Sequence, residues 1–418
     1  MKNLKKYFTF FCYFIILLGF LVEYQLTSVI TTRRLSMIVA LLSIIINWKK
    51  CKNLFVYVNP KRYRLFITFF FICFAISLFH SMSPYSHNDV YTRHFEIYYY
   101  LYIFLYVFVF SLYCTISFNS FKSFATVWLS VIILEAGSVF LALSDNSVNI
   151  LFNMLFAADE RFEISTQNGS RIIGLGIMGS QGSVVLSTGV ILLILLRYKR
   201  AISQLLYYTL LIFIFTATLF VGRTGVIVEV VVLIFGSFLN GKVKDMCLLT
   251  FAGITTLFLL SFILQNLDST IAERFQEWMM GAVTKDTRDG TIDTVIGSGI
   301  PILNNADLFF GLGIMRGYDG NGHFYRTDSG LLMTLMANGI VGFICYYLAM
   351  LNLLLLPKMK IIFKERLFFL LLIFISYFIE FKEAFFLKYI YAWFVLTIMF
   401  LWQDRRIPIS DRRKLIKE

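Results

Sequence analysis

Long apolar runs constrain this chain more than any other feature of its sequence. About twelve stretches of roughly twenty residues each are built almost entirely of apolar side chains. They cover residues 7–24, 28–48, 64–82, 97–117, 123–143, 173–196, 203–221, 224–240, 246–265, 329–355, 367–381 and 386–402. A run of this length crosses a bilayer as one helix, whereas the strands of a membrane β-barrel are short segments of alternating hydrophobicity. With 58% hydrophobic and 15% charged residues, the chain is predicted to be an all-α polytopic membrane protein.

The positive charges lie at alternate ends of these runs. Clusters of lysine and arginine precede the first run, separate the second from the third, follow the sixth, eighth and tenth, and end the chain. About 25 of the 38 basic residues thereby fall on one side. Because cytoplasmic loops carry the excess of Lys and Arg, both termini are predicted to be cytoplasmic. The net charge of +13 is thus explained by topology, and nucleic-acid binding is excluded.

The chain divides into four parts on this topology. Residues 1–265 hold the first nine predicted helices, 266–328 form one large polar loop, 329–402 hold the last three helices, and 403–418 are a basic cytoplasmic tail. The basic start has no small-residue cleavage site after its apolar run, so the first run is predicted to be a retained span. The six cysteines fall in spans or on the cytoplasmic side, so no external disulfide is expected.

The loop 266–328 lies outside the membrane by this topology. Connections between packed helices usually have about 2 to 8 residues, so a loop of this length is either functional or disordered. Its aromatic residues favour a folded segment, because disordered segments lack the apolar side chains that offset the entropy of ordering. Residues 268–279 are predicted to form a short amphipathic helix that packs on the bundle or on headgroups.

Two arginines are predicted at the outer ends of neighbouring spans. Arg171 opens the stretch SRIIGLGIMGSQGSVV, and Arg223 lies in the short turn VGRTG. The first stretch contains the pattern G-x-G-x-x-G, but no strand pattern precedes it and it lies on the external side, so a dinucleotide site is rejected. Two guanidinium groups can each bind two oxygens of a pyrophosphate. Either arginine could instead be only an interfacial anchor.

The end of the loop and the tenth run carry a further set of motifs. FFGLG at 309–313 is followed by a glycine-rich piece and by TDSGLLMTLMANGIVGF at 327–343. These stretches, together with the arginine-glycine segment after Arg171 and the VGRTG turn, resemble the signature regions of the Wzy polymerase and O-antigen ligase superfamily. Where ligases of that family carry a histidine before the tenth-span glycines, this chain has Asp328. The resemblance therefore favours a polymerase over a ligase.

The resemblance implies a metal-independent glycosyltransferase of GT-C-like architecture in a bacterial inner membrane. Its substrate would be an undecaprenyl-pyrophosphate-linked glycan, used without a nucleotide sugar or other cofactor, and the loop would be periplasmic or external. Membrane lipids, a chain-length regulator and a flippase are the implied partners. Two alternatives stay open: an O-antigen ligase that transfers polymer to lipid A core, and a transporter or flippase for lipid-linked sugar. The chain shows no repeated halves of the kind common in transporters.

The reaction needs positive charge on the leaving pyrophosphate and a base for the attacking hydroxyl. Arg171 and Arg223 are the candidates for the first role, and Asp328 or His323 for the second. Asp328 could also act as the N-cap of the tenth helix. Further candidate substrate contacts are Arg316, Arg326, Arg93 and Glu229. Glu229 and Glu135 lie inside spans, where an ionisable group is costly and indicates function. The histidines show no metal-ligand spacing, and no metal is predicted.

Overall fold

The structure is a computed structural model that consists mainly of helices. It describes residues 2–22, 24, 26, 30–81, 93–94, 97–144, 147–148, 151–152, 174–175, 179–240, 253, 305–318, 324–325, 329–358, 361–382 and 390–402. The helices are α1 (Lys2–Leu21), α2 (Thr32–Ile46), α3 (Trp48–Leu54), α4 (Pro60–Ser81), α5 (Ile97–Tyr102), α6 (Phe110–Ser117), α7 (Phe121–Ser144), α8 (Gly179–Tyr198), α9 (Gln204–Val221), α10 (Arg223–Asn240), α11 (Asn305–Phe310), α12 (Gly330–Leu354), α13 (Phe363–Lys382) and α14 (Ile390–Trp402). A π-helical segment, Ile103–Val109, joins α5 to α6, and a 3₁₀ turn, Phe55–Tyr57, follows α3.

A helix occupies every predicted apolar run except 246–265, which lies outside the described residues. Six of the described helical segments are long and apolar enough to cross a membrane. These are Pro60–His80, Tyr100–Ser117, Phe121–Ser144, Gln181–Tyr198, Gln204–Val221 and Gly330–Leu354. A helix is favoured in such segments because it satisfies every backbone hydrogen bond within the segment, where no water is present to do so. The chain is a helical membrane protein.

The buried core is centred on α8 and α14. The whole of α14 is buried, and α8 packs between α7, α9 and α10. Trp393 of α14 lies against the rings of Phe20, Phe110 and Trp128. The indole N–H of Trp128 donates a hydrogen bond to Thr188 Oγ1 of α8 at 2.9 Å, so its one polar atom is satisfied inside the core.

Helix α12 is broken at Gly339, which has φ 62° and ψ −174°. The hydroxyl groups of Thr334 and Tyr347 are nevertheless 3.3 Å apart. In a straight helix these residues would be separated by about 20 Å along the axis. The two halves of α12 therefore meet at a large angle, and the tenth predicted span is not one straight helix. The pair Asn338-Gly339 is the local cause, since Asn-Gly is a strong turn signal.

Three short strands lie outside the helical bundle. They are β1 (Arg93–His94), β2 (Ile314–Tyr318) and β3 (Phe324–Tyr325), and they form an antiparallel sheet with β2 in the centre. Helix α11, β2 and β3 all belong to the loop 266–328, so the described part of that loop is folded. The predicted amphipathic helix at 268–279 and the tail 403–418 lie outside the described residues.

Candidate functional site

The segment FFGLG packs directly on the break in α12. The N–H of Leu312 donates to the carbonyl of Met336 at 2.7 Å, and the N–H of Gly313 donates to that of Ala337 at 3.0 Å. In an unbroken helix these carbonyls would accept from residues four positions later in α12. The loop therefore supplies hydrogen bonds to the carbonyls that the break leaves without their helical donors, and FFGLG and the broken helix form one structural unit.

Gly311 and Gly339 make this contact possible because their backbones touch. A Cβ on Gly311 would lie 2.4 Å from the Gly339 nitrogen, and a Cβ on Gly339 would lie 2.4 Å from the Phe309 carbonyl carbon and oxygen. Both glycines also have positive φ, 82° and 62°, which disfavours any side chain. The fold therefore requires glycine at both positions, because of the close backbone contact and the positive φ angles.

His80, at the end of α4, supports the same unit and was not identified from the sequence. Its Nε2 lies 2.7 Å from the carbonyl oxygen of Phe310, and its Cβ would be 2.9 Å from a Cβ on Gly313. A lone histidine at the end of an apolar run carries no signal of such a contact. Its partner is 230 residues further along the chain.

The sheet brings together two of the predicted substrate contacts. Arg93 of β1 and Arg316 of β2 are cross-strand partners, next to the pair formed by His94 and Ile314. The backbone of the sheet therefore places these two positions opposite each other on neighbouring strands.

The remaining loop candidates are close to β3 and α12 in the sequence. Arg326 follows directly after β3, whose Tyr325 pairs with Gly317. Arg326, His323 and Asp328 themselves lie outside the described residues. Helix α12 begins at Gly330, and its N-cap position is occupied by Ser329. The N-cap position considered for Asp328 is thus taken by the next residue in the chain.

The VGRTG turn is anchored to the start of α8. The N–H of Gly225 donates to Ser183 Oγ at 3.0 Å, and a Cβ on Gly225 would lie 2.2 Å from the Ser183 carbonyl oxygen. Helices α8 and α10 therefore touch through their backbones at this point. Arg223, two residues earlier, is the first residue of α10 and is partly exposed. Its backbone is held at the junction of α8, α9 and α10.

The segment after Arg171 meets the bundle at Glu135 and Ser138 of α7. Gly174 is buried, and a Cβ there would lie 2.3 Å from Glu135 Oε1. The N–H of Leu175 donates to Ser138 Oγ at 2.9 Å. Arg171 itself lies outside the described residues, but it stands only three positions before Gly174. Gly174 therefore permits close packing of this segment on α7.

Glu135 also influences the connection between α1 and α2. Burial, and after it the negative charge of Glu135, raise the pKa of the Tyr24 hydroxyl. Tyr24 is held by a hydrogen bond from its backbone N–H to Thr32 Oγ1 at 3.0 Å. The carboxylate therefore lies close to the end of α1 and the start of α2 as well as to Gly174.

Glu229 does not reach the surface. It has no exposed area, and Thr218 Oγ1 of α9 lies 2.8 Å from its Oε1. The sequence predicted a substrate contact at this residue, but the structure gives it a neighbouring helix as its partner. Within the described residues no group of three or more His, Cys, Asp or Glu is arranged to hold a metal ion.

The fold and these contacts define a class: a helical membrane protein in which a described loop segment packs on a broken helix. Compared with family models, with curated proteins and with solved structures, the chain matches none of them.

Proposed function

We propose that the protein is a membrane glycosyltransferase that joins undecaprenyl-pyrophosphate-linked repeat units into O-antigen or capsular polysaccharide. One observation carries the proposal: Arg223 begins α10 and is held two residues from a backbone contact with α8. The N-terminus of a helix is its positive end and attracts anions. An arginine there adds a second source of positive potential, which supports binding of a diphosphate at this position.

The reaction is a displacement at an anomeric carbon. The hydroxyl oxygen of one sugar forms a bond to the anomeric carbon of another lipid-linked glycan, and the bond from that carbon to the pyrophosphate oxygen breaks. The hydroxyl proton passes to a base, for which Asp328 and His323 are the candidates. Negative charge grows on the departing pyrophosphate, and the guanidinium groups of Arg223 and Arg171 stabilise it. One displacement of this kind inverts the configuration at the anomeric carbon.

Two further arginines of the proposed site belong to the sheet. Arg93 and Arg316 pair across β1 and β2, and β2 is joined through Gly313 to the break in α12. In the proposal these arginines and Arg326 contact anionic groups of the substrates. The site then lies at the external face of a bacterial inner membrane, with both termini cytoplasmic and the architecture of the GT-C type.

The test is complementation of a deletion strain, with the repeat ladder of the surface polysaccharide examined on a gel. Arg223→Ala and Arg171→Ala are each expected to lower chain elongation about 100- to 1,000-fold, because each removes a group that stabilises the leaving charge. Arg34→Ala is the matched control, since Arg34 is an exposed arginine near the start of α2. Membrane levels of all three variants are compared by immunoblot.

The pattern of loss separates the alternatives. A polymerase defect leaves one repeat unit on the anchor, whereas a ligase or flippase defect removes all attached repeats. Normal ladders in both Arg223→Ala and Arg171→Ala would refute the pyrophosphate site. For the base, full activity in Asp328→Asn would exclude Asp328 and leave His323.

A further inference from the structure

A buried hydrogen bond joins the two helices that flank the Arg223 turn. Thr218 lies five residues before Arg223 on α9, and Glu229 lies six residues after it on α10. Thr218 Oγ1 is 2.8 Å from Glu229 Oε1 and 2.9 Å from the carbonyl oxygen of Ile214 in its own helix. Both side chains have no exposed area. The hydrogen bond closes the α9–α10 hairpin below its turn.

A buried hydrogen bond of this kind stabilises the helix pair less than apolar packing would. A carboxyl group inside a membrane helix is costly, and apolar side chains of similar size would fill the space without that cost. Only one of its oxygens is satisfied, because Glu229 Oε2 has no hydrogen-bond partner among the described residues. A hydrogen bond has a narrow range of length and angle. The Thr218–Glu229 pair therefore constrains the distance and the rotation of α9 relative to α10 more than apolar packing would.

The third helix of the junction is fixed independently. Gly225 contacts Ser183, and a Cβ on Gly236 would lie 2.8 Å from side-chain atoms of Ile194. The two contacts are eleven residues apart on both helices, so α8 and α10 run parallel in one register. With α10 fixed on α8, the Thr218–Glu229 bond adds a directed contact between α9 and α10 to the packing of α9 on α7 and α8, and α9 ends at Val221, two residues before Arg223.

We propose that Thr218 and Glu229 are positioning residues that hold Arg223 in place for the diphosphate. The inference rests on the proposed function of Arg223 and deepens it. Neither side chain touches substrate, since both are fully buried; they act through the backbone of the turn. A displacement of about 1 Å at a charge-stabilising group is enough to slow a reaction about 100-fold.

The test compares Thr218→Val with Thr216→Val in the purified full-length protein. Thr216 lies on the same helix and its hydroxyl bonds only the Ile212 carbonyl among the contacts described, at 2.8 Å. Hydrogen–deuterium exchange of residues 219–226 reports the turn directly and needs no substrate. Thr218→Val is expected to raise exchange there at least threefold over Thr216→Val. Equal exchange in the two variants would overturn the inference.

Elongation is then measured with lipid-linked repeats extracted from the deletion strain. Thr218→Val is expected to lower kcat about tenfold with little change in KM, because the lost interaction acts in the transition state. Glu229→Gln keeps an oxygen and a nitrogen for the bond to Thr218 and should retain most activity, whereas Glu229→Leu should behave like Thr218→Val. If Glu229→Gln is as defective as Glu229→Leu, the hydrogen bond is not what matters and the inference fails.

A double variant shows whether the effect passes through Arg223. Thr218→Val added to Arg223→Ala is expected to cause no further loss, since the group being positioned is absent. A further tenfold loss would show an effect independent of Arg223 and would overturn the inference. If the wild-type protein adds no repeats at all, the proposed function is refuted, and the exchange measurement alone still decides whether Thr218 and Glu229 fix the turn.

Discussion

Replacing Gly339 by alanine tests whether the loop and the broken helix form one unit. Gly339 has φ 62° and ψ −174°, a conformation open essentially to glycine alone. An added Cβ would also lie 2.4 Å from the carbonyl carbon and oxygen of Phe309 and 2.5 Å from the nitrogen of Gly311. All these atoms belong to the backbone, so no side chain can rotate away to relieve the overlap.

The expected cost follows from two contributions. Holding an alanine at these φ and ψ angles costs about 1 to 3 kcal/mol of folding free energy. Relief of the overlap separates the loop from α12 and breaks the hydrogen bonds to the carbonyls of Met336 and Ala337, at about 0.5 to 1.5 kcal/mol each. Gly339→Ala should therefore lower the free energy of unfolding by about 2 to 6 kcal/mol. This is a large part of the 5 to 15 kcal/mol that is typical of a folded protein.

Gly137→Ala is the matched control, because Gly137 lies inside α7 with nothing within 4 Å of an added Cβ. There alanine should be neutral or stabilising by up to about 1 kcal/mol, from its higher helix propensity. Unfolding of both variants in detergent micelles by titration with a denaturing detergent gives the comparison. If Gly339→Ala unfolds at the same midpoint as Gly137→Ala, the described contact between the loop and the helix break is incorrect.

Three further substitutions test single contacts. Gly225→Ala should separate α8 from α10, since its Cβ would meet the backbone of Ser183, and should lower both elongation and thermal stability in detergent. Tyr100→Phe removes the hydroxyl that donates to the fully buried Asn338 Oδ1 at 3.2 Å, and should cost about 1 to 3 kcal/mol in the unfolding titration. His80→Ala removes the hydrogen bond to the carbonyl at the end of α11, and should raise deuterium exchange in residues 305–318 while leaving that of α14 unchanged.

Hydropathy alone located the long described helices, but not the short helices α3 and α11. The run 203–221 corresponds to α9, Gln204–Val221, and the run 224–240 to α10, Arg223–Asn240. This agreement has a physical basis, because a long apolar segment in a bilayer has few alternatives to a helix. Residue composition is enough to find such segments, and it predicted them without knowledge of any tertiary contact.

The break in α12 was missed for the same reason. A sum of hydropathy over 329–355 counts side chains and is unaffected by one backbone conformation at Gly339. The Asn338-Gly339 pair was visible in the sequence, but helices in membranes tolerate glycine, so the pair alone did not decide. What decides is the loop that supplies hydrogen bonds to the exposed carbonyls, and that contact joins residues more than twenty positions apart.

The long-range partners could not be predicted at all. Tyr100 and Asn338 are 238 positions apart, and Gly225 and Ser183 are 42 apart. Each is a common residue type in a common context, with no spacing that marks it. Such pairs form only between helices that are neighbours in the fold, and a single sequence does not reveal which helices these are. Glu229 was noticed because a carboxyl in a span is rare, but its partner Thr218 could not be predicted from the sequence.

Glycines fix the backbone beside two of the candidate arginines. Arg223 lies two residues from Gly225, and Arg316 lies three residues from Gly313; a Cβ on either glycine would overlap another part of the chain. Three residues of extended chain span at most about 11 Å, so the backbones of both arginines lie close to a fixed contact. In each case the missing side chain of glycine is what lets the two parts of the chain approach so closely.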